Sequence, residues 1–254
     1  MPEYHSYPKV YQLGHKAIQE LFFDDVLIEE KIDGSQLSFG VLDGELKARS
    51  KGAEIIVINP EKMFGKAIET VKQLPLHENW IYRTEFLQKP KHNVLAYDRV
   101  PVNNLIVFDV NTGNEEYLSY EEKVIEAKRI GLEVVPILFK GKVSNYESLF
   151  DLLETLSILG GQKIEGFVAK NYKRFGIDGK VLMGKFVSEK FKEIHSKEWK
   201  NSNPSGKDFI QRIIMSLKTE ARWNKAVQHL KERGGLTNSP KDIGNLIKEV
   251  QKDI

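Results

Sequence analysis

Apolar and polar residues alternate over several short stretches in the first 190 residues of the chain. This two-residue period is typical of β-strands, and turn residues such as the Asp-Gly pairs at 33–34 and 43–44 separate the stretches. The first of these pairs predicts that the strands on either side of it form a β-hairpin. The predicted strands are 27–30, 37–42, 45–50, 54–58, 80–87, 104–110, 134–139, 164–170 and 181–186.

Other stretches carry apolar residues three or four positions apart, which predicts helices. One of them begins with Ser119 and has Glu122 three residues later, the pattern of a capping box. The predicted helices are 60–73, 119–130, 146–156, 188–199, 207–217, 221–233 and 241–254. We therefore predict an α+β body of antiparallel sheets flanked by helices over residues 1–195. A small basic all-helical domain follows over 196–254.

The composition restricts the class of protein. Of the 254 residues, 41% are hydrophobic and 29% are charged, as in globular proteins. No apolar run reaches the roughly 20 residues that cross a bilayer, and we identify no signal peptide. The absence of cysteine excludes disulfides, zinc–thiolate sites and a cysteine nucleophile. We expect a cytoplasmic protein.

Charge is distributed unevenly along the chain. Residues 1–194 carry 26 basic and 29 acidic side chains, whereas residues 195–254 carry 12 basic and 7 acidic side chains. A basic segment on a slightly acidic body is typical of contact with a polyanion such as nucleic acid. On charge alone, a well-solvated helical tail is an equally good interpretation.

Lys31 stands at the end of a predicted strand, immediately before a turn. Taken alone, a Lys-x-Asp-Gly pattern of four residues indicates only a surface lysine. Five further short motifs follow it along the chain. The series is Glu-Lys-Ile-Asp-Gly-Ser (30–35), Arg-Ser-Lys-Gly (49–52), Tyr-Arg-Thr-Glu-Phe (82–86), Ile-Val-Phe-Asp (106–109), Ile-Glu-Gly-Phe-Val-Ala-Lys (164–170) and Gly-Lys-Phe-Val-Ser-Glu-Lys-Phe (184–191).

In this order, the series resembles the covalent nucleotidyltransferase superfamily of ATP-dependent ligases and mRNA capping enzymes. Within the superfamily it is most similar to the RNA ligase 2 family. The six motifs cover residues 29–191. The resemblance implies an ATP-grasp-like nucleotidyltransferase fold for the body of the chain. It also implies ATP as the donor of AMP, with Mg²⁺ or Mn²⁺.

The resemblance assigns a role to each motif. Lys31 is the nucleophile that forms lysyl-AMP, which requires a neutral amine and thus a lowered pKa. Glu30 faces the amino edge of adenine, Phe108 stacks on its ring and Glu85 holds the ribose hydroxyls. Arg49 contacts the phosphate and, by extension, the nucleic acid. Without the series, Phe108 is simply a core residue of a buried strand.

The last two motifs supply the groups for metal and phosphate. Glu165 matches a glutamate near the divalent metal, whereas Lys170 and Lys185 match lysines that grip the nucleotide phosphates. A cation beside Lys31 would also lower the pKa of its amine. Magnesium in such sites is held by one or two carboxylates plus phosphates, so no dedicated cage of ligands is expected in the sequence. The chain has no P-loop motif, which argues against a P-loop ATPase.

Two positions depart from the family pattern. Met183 stands where the last motif usually has the first of two lysines, and Lys180 is a candidate substitute. Asp33 stands where the best-known RNA ligase 2 sequences have histidine. DNA ligases and capping enzymes have aspartate there, so residue 33 does not distinguish an enzyme that acts on RNA from one that acts on DNA.

The segment after the last motif favours RNA ligation. DNA ligases and capping enzymes follow this motif with a strand-rich OB domain of about 100 residues, whereas here 69 residues follow Lys185 and have a helical pattern. Helices also follow in the RNA ligase 2 family. These helices either contact nucleic acid or only support the catalytic body. The candidate phosphate contacts in this segment are Lys207, Arg212, Lys218, Arg222 and Lys225.

The sequence therefore predicts a monomeric, ATP-dependent RNA ligase that joins 5′-phosphate and 3′-hydroxyl ends through lysyl-AMP and RNA-adenylate. By family similarity, nicks in duplex RNA or in an RNA–DNA hybrid are the favoured substrates. Three alternatives stay open: a compact ATP-dependent DNA ligase, a capping guanylyltransferase, and a non-catalytic RNA-binding module on a ligase fold.

Overall fold

The computed structural model describes residues 4–187, except positions 61, 62, 94 and 146, together with two C-terminal helices and residues 236 and 239. Two of the predicted C-terminal helices, 188–199 and 207–217, and the predicted domain boundary at residue 195 lie outside the described residues. Within the described ranges, no helix is long and apolar enough to cross a membrane.

Two β-sheets form the body. The first contains, in spatial order, β1 (Tyr11–Gln12), β12 (Val181–Val187), β11 (Gly166–Phe175), β2 (Val26–Lys31) and β10 (Ile137–Gly141). The second contains β5 (Glu54–Ile55), β4 (Glu45–Ser50), β3 (Ser35–Leu42), β6 (Ile81–Phe86), β7 (Leu105–Gly113) and β8 (Glu116–Tyr117), with β9 (Glu133–Val134) beside β7. The β1–β12 and β7–β9 pairs are parallel, and the other strand pairs that the structure describes are antiparallel. The prediction of an α+β body built on antiparallel sheets is confirmed.

The predicted hairpin around Asp33-Gly34 is wrong. β2 pairs with β10 and β11 in the first sheet, whereas β3 pairs with β4 and β6 in the second. The chain crosses between the sheets at residues 32–34 because Ile32, only 1% exposed, packs in an apolar cluster with Leu87 and Tyr97. Lys31 is therefore the last residue of β2, at the point where the chain leaves the first sheet and crosses to the second.

The predicted strand 134–139 is split in the same way. β9 joins the second sheet and β10 joins the first, with Pro136 between them. Proline has no N–H to donate to a strand ladder, so it favours a break. Its carbonyl oxygen instead accepts a hydrogen bond from the Glu30 N–H at 3.1 Å. This second crossing brings the chain back beside β2.

The helices are close to the prediction, and most are shorter. Ser119 and Glu122 form the predicted capping box. The 146–156 prediction corresponds to a short α-helix and a 3₁₀ helix, Leu152–Glu154. The α-helices that the structure describes are α1 (Gly65–Val71), α2 (Tyr120–Arg129), α3 (Ser148–Asp151), α4 (Glu220–Glu232) and α5 (Asp242–Lys252).

Apolar clusters cover the outer face of each sheet. Ile68 of α1 and Ala127 of α2 pack with Phe39 and Tyr82 on the second sheet. Phe150 of α3 belongs to the matching cluster on the first sheet. Burial of each large apolar side chain contributes on the order of 2 kcal/mol. The inner faces of the two sheets carry charged residues such as Lys31, Glu85 and Lys185 beside apolar ones such as Phe108 and Val168.

Gly166 provides a test of the sheet next to Lys31. Its Cα pairs with Lys31 on one side and with Val187 on the other. A Cβ atom at position 166 would lie 1.9 Å from the Phe186 carbonyl oxygen. We therefore expect Gly166→Ala to lower the free energy of unfolding by about 2 kcal/mol, as measured by urea denaturation. Gly65→Ala is the control, since a Cβ atom there meets no atom within 4 Å; equal midpoints for both variants would contradict the described strand packing.

Candidate active site

A cavity of about 850 Å³ opens between the inner faces of the two sheets. Its size is within the range of small-molecule binding sites, roughly 300–1,000 Å³. Six of the predicted site residues line it: Glu30, Lys31, Glu85, Phe108, Lys170 and Lys185. Residues separated by up to 155 positions in the sequence therefore meet in one place.

Lys31 lies at the edge of this cavity and is paired with a carboxylate. Its Nζ atom is 2.7 Å from Oε2 of Glu165, the residue just before β11. The two side chains are 26% and 14% exposed, respectively. Such a pair holds the amine in place and gives it a neighbouring acceptor for a proton.

The charges around Lys31 differ from the expectation of a lowered pKa. Burial lowers the pKa of Lys31, but the carboxylates of Glu165, Glu85 and Asp33 outweigh burial and hold it above its usual value. A raised pKa favours the protonated amine, and Glu165 is the hydrogen-bond acceptor in contact with its Nζ atom.

Glu85 is one of the carboxylates of the cavity wall. Its neighbours across the second sheet are Gln36 on β3 and Ile106 on β7. The Oε2 atom is buried and accepts no hydrogen bond from the residues that the structure describes. Burial raises the pKa of Glu85 to about 8, although the positive charge of Lys31 opposes that shift. A buried acceptor without a donor fits the predicted contact with a hydroxyl group.

Phe108 reaches the cavity because of a β-bulge. Arg83 pairs with Asp109 and Thr84 with Val107, so Phe108 is an extra residue in β7. A bulge of this kind redirects a side chain and releases a backbone carbonyl from the ladder. The ring lines the cavity and meets the Tyr7 ring edge-on, with centroids 5.1 Å apart.

Lys170 does not extend into the cavity as a free cation. It is 2% exposed, and its Nζ donates to Oε2 of Glu29 at 2.5 Å, to Oδ2 of Asp109 at 3.0 Å and to the Phe108 carbonyl at 2.7 Å. An ammonium group has three donors, and here three protein acceptors take them. This geometry argues against the predicted direct contact of Lys170 with phosphate.

Lys185 is the cavity lysine of the last motif. It lies opposite Val168 across the β11–β12 ladder, on the same face as the other cavity residues of that sheet. Met183, two residues earlier, is 1% exposed, and its Sδ atom lies 2.9 Å from the Tyr7 hydroxyl oxygen. The suggested substitute Lys180 is instead 3.0 Å from Glu115 and is not part of the lining. The structure thus gives no support to Lys180 as a replacement.

Arg49 and Glu30 are placed differently from the remaining motif residues. Arg49 lies opposite Ser38 on the second sheet and is not part of the cavity lining. Glu30 lines the cavity but is 3% exposed, and its carboxylate accepts hydrogen bonds from the Ser157 hydroxyl and the Ile158 N–H. Their assigned contacts with phosphate and adenine stay predictions.

The described residues of the loop after β6, 88–93 and 95–98, cover the crossing after Lys31. The Asp33 carboxylate accepts hydrogen bonds from the Leu95 N–H at 2.8 Å and from the Asn93 amide at 3.3 Å. Tyr97 accepts from the Asp33 N–H at 2.8 Å. Asp33 therefore anchors this loop, which explains a carboxylate at this position without reference to the kind of nucleic acid.

The same loop positions Ser35, which lines the cavity. His92 Nε2 and Ser35 Oγ are 2.9 Å apart, and His92 Nδ1 accepts a hydrogen bond from the Gln88 N–H. Burial lowers the pKa of His92 and so favours the neutral ring. Because Nδ1 is the acceptor, the neutral ring carries its hydrogen on Nε2 and donates it to Ser35 Oγ. The hydroxyl hydrogen of Ser35 is then available to a group in the cavity.

Several residues that the motifs did not indicate contribute to the site. Glu29 and Lys123 are each 1% exposed and form a buried ion pair behind Phe108. Tyr7 donates a hydrogen bond to Asp109. Asp109 is the last residue of the Ile-Val-Phe-Asp motif. Glu29 precedes Lys31 by two positions, so the two side chains lie on the same face of β2. Nothing in the sequence pattern separates Lys123 from the other lysines of α2.

Of the predicted nucleic-acid contacts, Lys207, Arg212 and Lys218 lie outside the described residues. Arg222 and Lys225 are on α4, where the structure describes the backbone but not these two side chains. Ala226 and Leu230 of α4 are buried, and α4 packs against α5. Contact with nucleic acid by this segment stays a prediction.

The RNA ligase family model matches residues 24–187, which is more than half of the chain. The chain belongs to the RNA ligase family. The match begins just before β2 and ends with the last residue of β12, so it spans the motifs that carry Lys31, Glu85, Phe108, Glu165 and Lys185. A search of the curated proteins found no match to this family member.

Solved structures show the same fold in another member of the family. An RNA ligase of Naegleria gruberi with pyrophosphate has a TM-score of 0.53 and 16% identity, covering 78% of this chain and 60% of that chain. A variant of it solved with ATP and manganese has a TM-score of 0.54 and 17% identity, covering 77% and 60%. A further variant, with AMP and manganese, has a TM-score of 0.55. The present chain therefore spans about 60% of the length of the Naegleria chains, and the predicted nucleotidyltransferase fold is confirmed.

The raised pKa of Glu85 predicts a pH-dependent stability. Between its ordinary value of 4.5 and about 8, the folded protein keeps a proton that the unfolded chain has lost, so unfolding becomes easier as the pH rises. We expect wild type to lose on the order of 1 kcal/mol relative to Glu85→Gln between pH 5 and pH 8, because cavity water reduces the full effect. Urea denaturation at both pH values measures this difference. The exposed Glu69→Gln variant is the control, and a difference that does not change with pH would contradict the assignment.

Proposed function

We propose that this chain is an ATP-dependent RNA ligase that joins 5′-phosphate and 3′-hydroxyl ends. The observation that carries the proposal is the cavity between the sheets, where Lys31 contacts Glu165 in a chain whose family match spans both residues. The ATP, AMP and pyrophosphate named for the Naegleria structures are the donor, the transferred group and the leaving group of this reaction.

In the first step, Lys31 acts as the nucleophile. Glu165 takes the proton from Nζ, and the free amine attacks the α-phosphorus of ATP. A P–N bond forms as the P–O bond to pyrophosphate breaks, which leaves AMP on Lys31. The raised pKa of Lys31 requires this proton transfer, since the protonated amine has no lone pair to donate.

The other cavity residues hold the nucleotide during this step. The Phe108 ring provides an apolar face for the adenine, and Glu85 accepts from the ribose hydroxyls. Lys185 supplies positive charge for the phosphates, whereas the three donors of the Lys170 ammonium are taken by protein acceptors. In the subsequent steps AMP passes to the 5′-phosphate of RNA, and the 3′-hydroxyl displaces AMP as the phosphodiester forms.

The donor set also fits a divalent cation. Among the described residues, no group of three or more metal-ligating side chains forms a cage. Glu165 and Glu85 nevertheless bring carboxylates to Lys31 at the cavity edge, and Mg²⁺ needs only one or two carboxylates when phosphate oxygens complete its shell. When bound at Glu165, Mg²⁺ or Mn²⁺ would neutralise phosphate charge.

For the substrate, we propose nicks in duplex RNA or in an RNA–DNA hybrid, with the chain acting as a cytoplasmic monomer. The net positive charge of residues 195–254 supports a polyanionic partner.

The first test is covalent labelling. Wild type incubated with α-labelled ATP and Mg²⁺ is expected to retain label after denaturation, whereas Lys31→Ala is expected to lose it entirely, because this substitution removes the amine that contacts Glu165. Lys66→Ala, an exposed lysine of α1, is the matched control and should label like wild type. Label that survives Lys31→Ala would remove Lys31 from this role.

The second test compares nucleotides and polymers. We expect label from ATP rather than GTP, followed by sealing of nicked duplex RNA or hybrid in preference to nicked DNA and to single-stranded ends. Label from GTP would indicate a capping guanylyltransferase, and sealing of DNA alone would indicate a compact DNA ligase. Absence of any label would leave a non-catalytic RNA-binding module.

A further inference from the structure

Two buried lysines converge on one backbone carbonyl behind the cavity. Lys123 of α2 and Lys170 of β11 are 1% and 2% exposed. Their Nζ atoms donate to the Phe108 carbonyl oxygen at 2.8 Å and 2.7 Å, respectively. Each lysine also pairs with a different oxygen of the Glu29 carboxylate. The Phe108 carbonyl is thus fixed from two directions.

The arrangement balances its charges. Two ammonium groups face two carboxylates, Glu29 and Asp109, and Asp109 also accepts hydrogen bonds from the hydroxyls of Tyr7 and Tyr172. Burial of an ion costs several kcal/mol unless it is paired and hydrogen-bonded, and a well-packed apolar set is often as stable. Stability alone therefore does not explain why charges occupy this position.

The two lysines lie at the β-bulge of Phe108, and this location suggests their role. The bulge at Phe108 removes the carbonyl from the regular ladder, and a bulge without compensation leaves this oxygen without a partner. The two lysines supply that partner. They also connect three elements: α2, Glu29 of the first sheet and Phe108 of the second. Lys123 is not part of the cavity lining, so it acts on the site from behind.

We propose that Lys123 is a positioning residue that fixes the Phe108 bulge through its carbonyl, so that the ring stays in place as the stacking face for the adenine. The inference rests on the proposed function, since it assumes that an adenine nucleotide binds beside Phe108. Lys170 also donates to the Phe108 carbonyl, but it has a third bond, to Asp109. Substitution of Lys123 therefore tests the contact with the carbonyl more specifically than substitution of Lys170 does.

The test is a double-mutant cycle between Lys123→Met and Phe108→Ala, read out as the ATP dependence of Lys31 labelling. Lys123→Met alone is expected to raise the KM for ATP about tenfold and to change kcat by less than about twofold. In the Phe108→Ala background, the same substitution should change KM by less than about twofold, because the ring through which it acts is gone. Independent, multiplying effects would overturn the proposal, as would a loss of kcat at unchanged KM.

Two control variants separate positioning from loss of stability. Lys128→Met removes an exposed lysine from the same helix and should leave KM unchanged. Tyr82→Phe removes the buried hydrogen bond between Tyr82 and Glu126 of α2, so it weakens the packing of this helix without reaching Phe108. If Tyr82→Phe raises KM as much as Lys123→Met does, the effect is structural and the proposal fails. Should Lys123→Met not fold, Glu29→Gln enters the same cycle with the same expected outcome.

Hydrogen exchange provides a readout that does not depend on activity. Lys123→Met should accelerate exchange of the amides of β7 around Phe108, whereas Lys128→Met should not. Wild-type protein that takes no label from ATP would contradict the proposed function, and the exchange measurement would still decide whether Lys123 holds the bulge. Unchanged exchange in Lys123→Met would overturn the positioning role even in an active enzyme.

Discussion

Buried ion pairs join the two sheets behind the cavity, and the site depends on them. Glu29 lies on the first sheet and Asp109 on the second, and Lys170 pairs with both. Lys123 joins Glu29 to the Phe108 carbonyl. Removal of one partner from such a group costs about 3–5 kcal/mol because it leaves an unpaired buried charge. Specific contacts therefore set the separation of the two sheets and with it the width of the cavity. The Phe108 ring and the Lys31 amine are held on opposite sheets across this cavity.

The electrostatics at the cavity edge favour a bound positive group or a proton. Glu165, Glu85 and Asp33 surround Lys31 and raise the pKa of its amine, while burial raises the pKa of Glu85. The predicted mechanism instead requires a neutral amine. These two facts agree if Glu165, which is in hydrogen-bond contact with Nζ, takes the proton of Lys31 before the amine attacks.

The sequence predicted individual elements better than it predicted their connections. Most strands, the capping box at Ser119 and the cavity positions of Lys31, Glu85, Phe108 and Lys185 followed from local patterns and from the family resemblance. The crossings at residues 32–34 and at Pro136 did not, because alternation of apolar residues defines a strand but not the sheet that it joins. The partners of Lys170 were missed for a related reason: a lysine in a motif has the same sequence whether it faces a phosphate or a buried carboxylate. Lys123 carries no local signal, and only its distance to Phe108 reveals it.

The central claim is that Lys31 carries AMP, and peptide mapping by mass spectrometry tests it most directly. The protein is incubated with ATP and Mg²⁺ and then digested at alkaline pH, because the P–N bond of a lysine adduct is labile to acid. The account predicts one AMP adduct, on the peptide that contains Lys31, and fragmentation that assigns it to this residue. An adduct on another lysine of the cavity, such as Lys51 or Lys185, would contradict it.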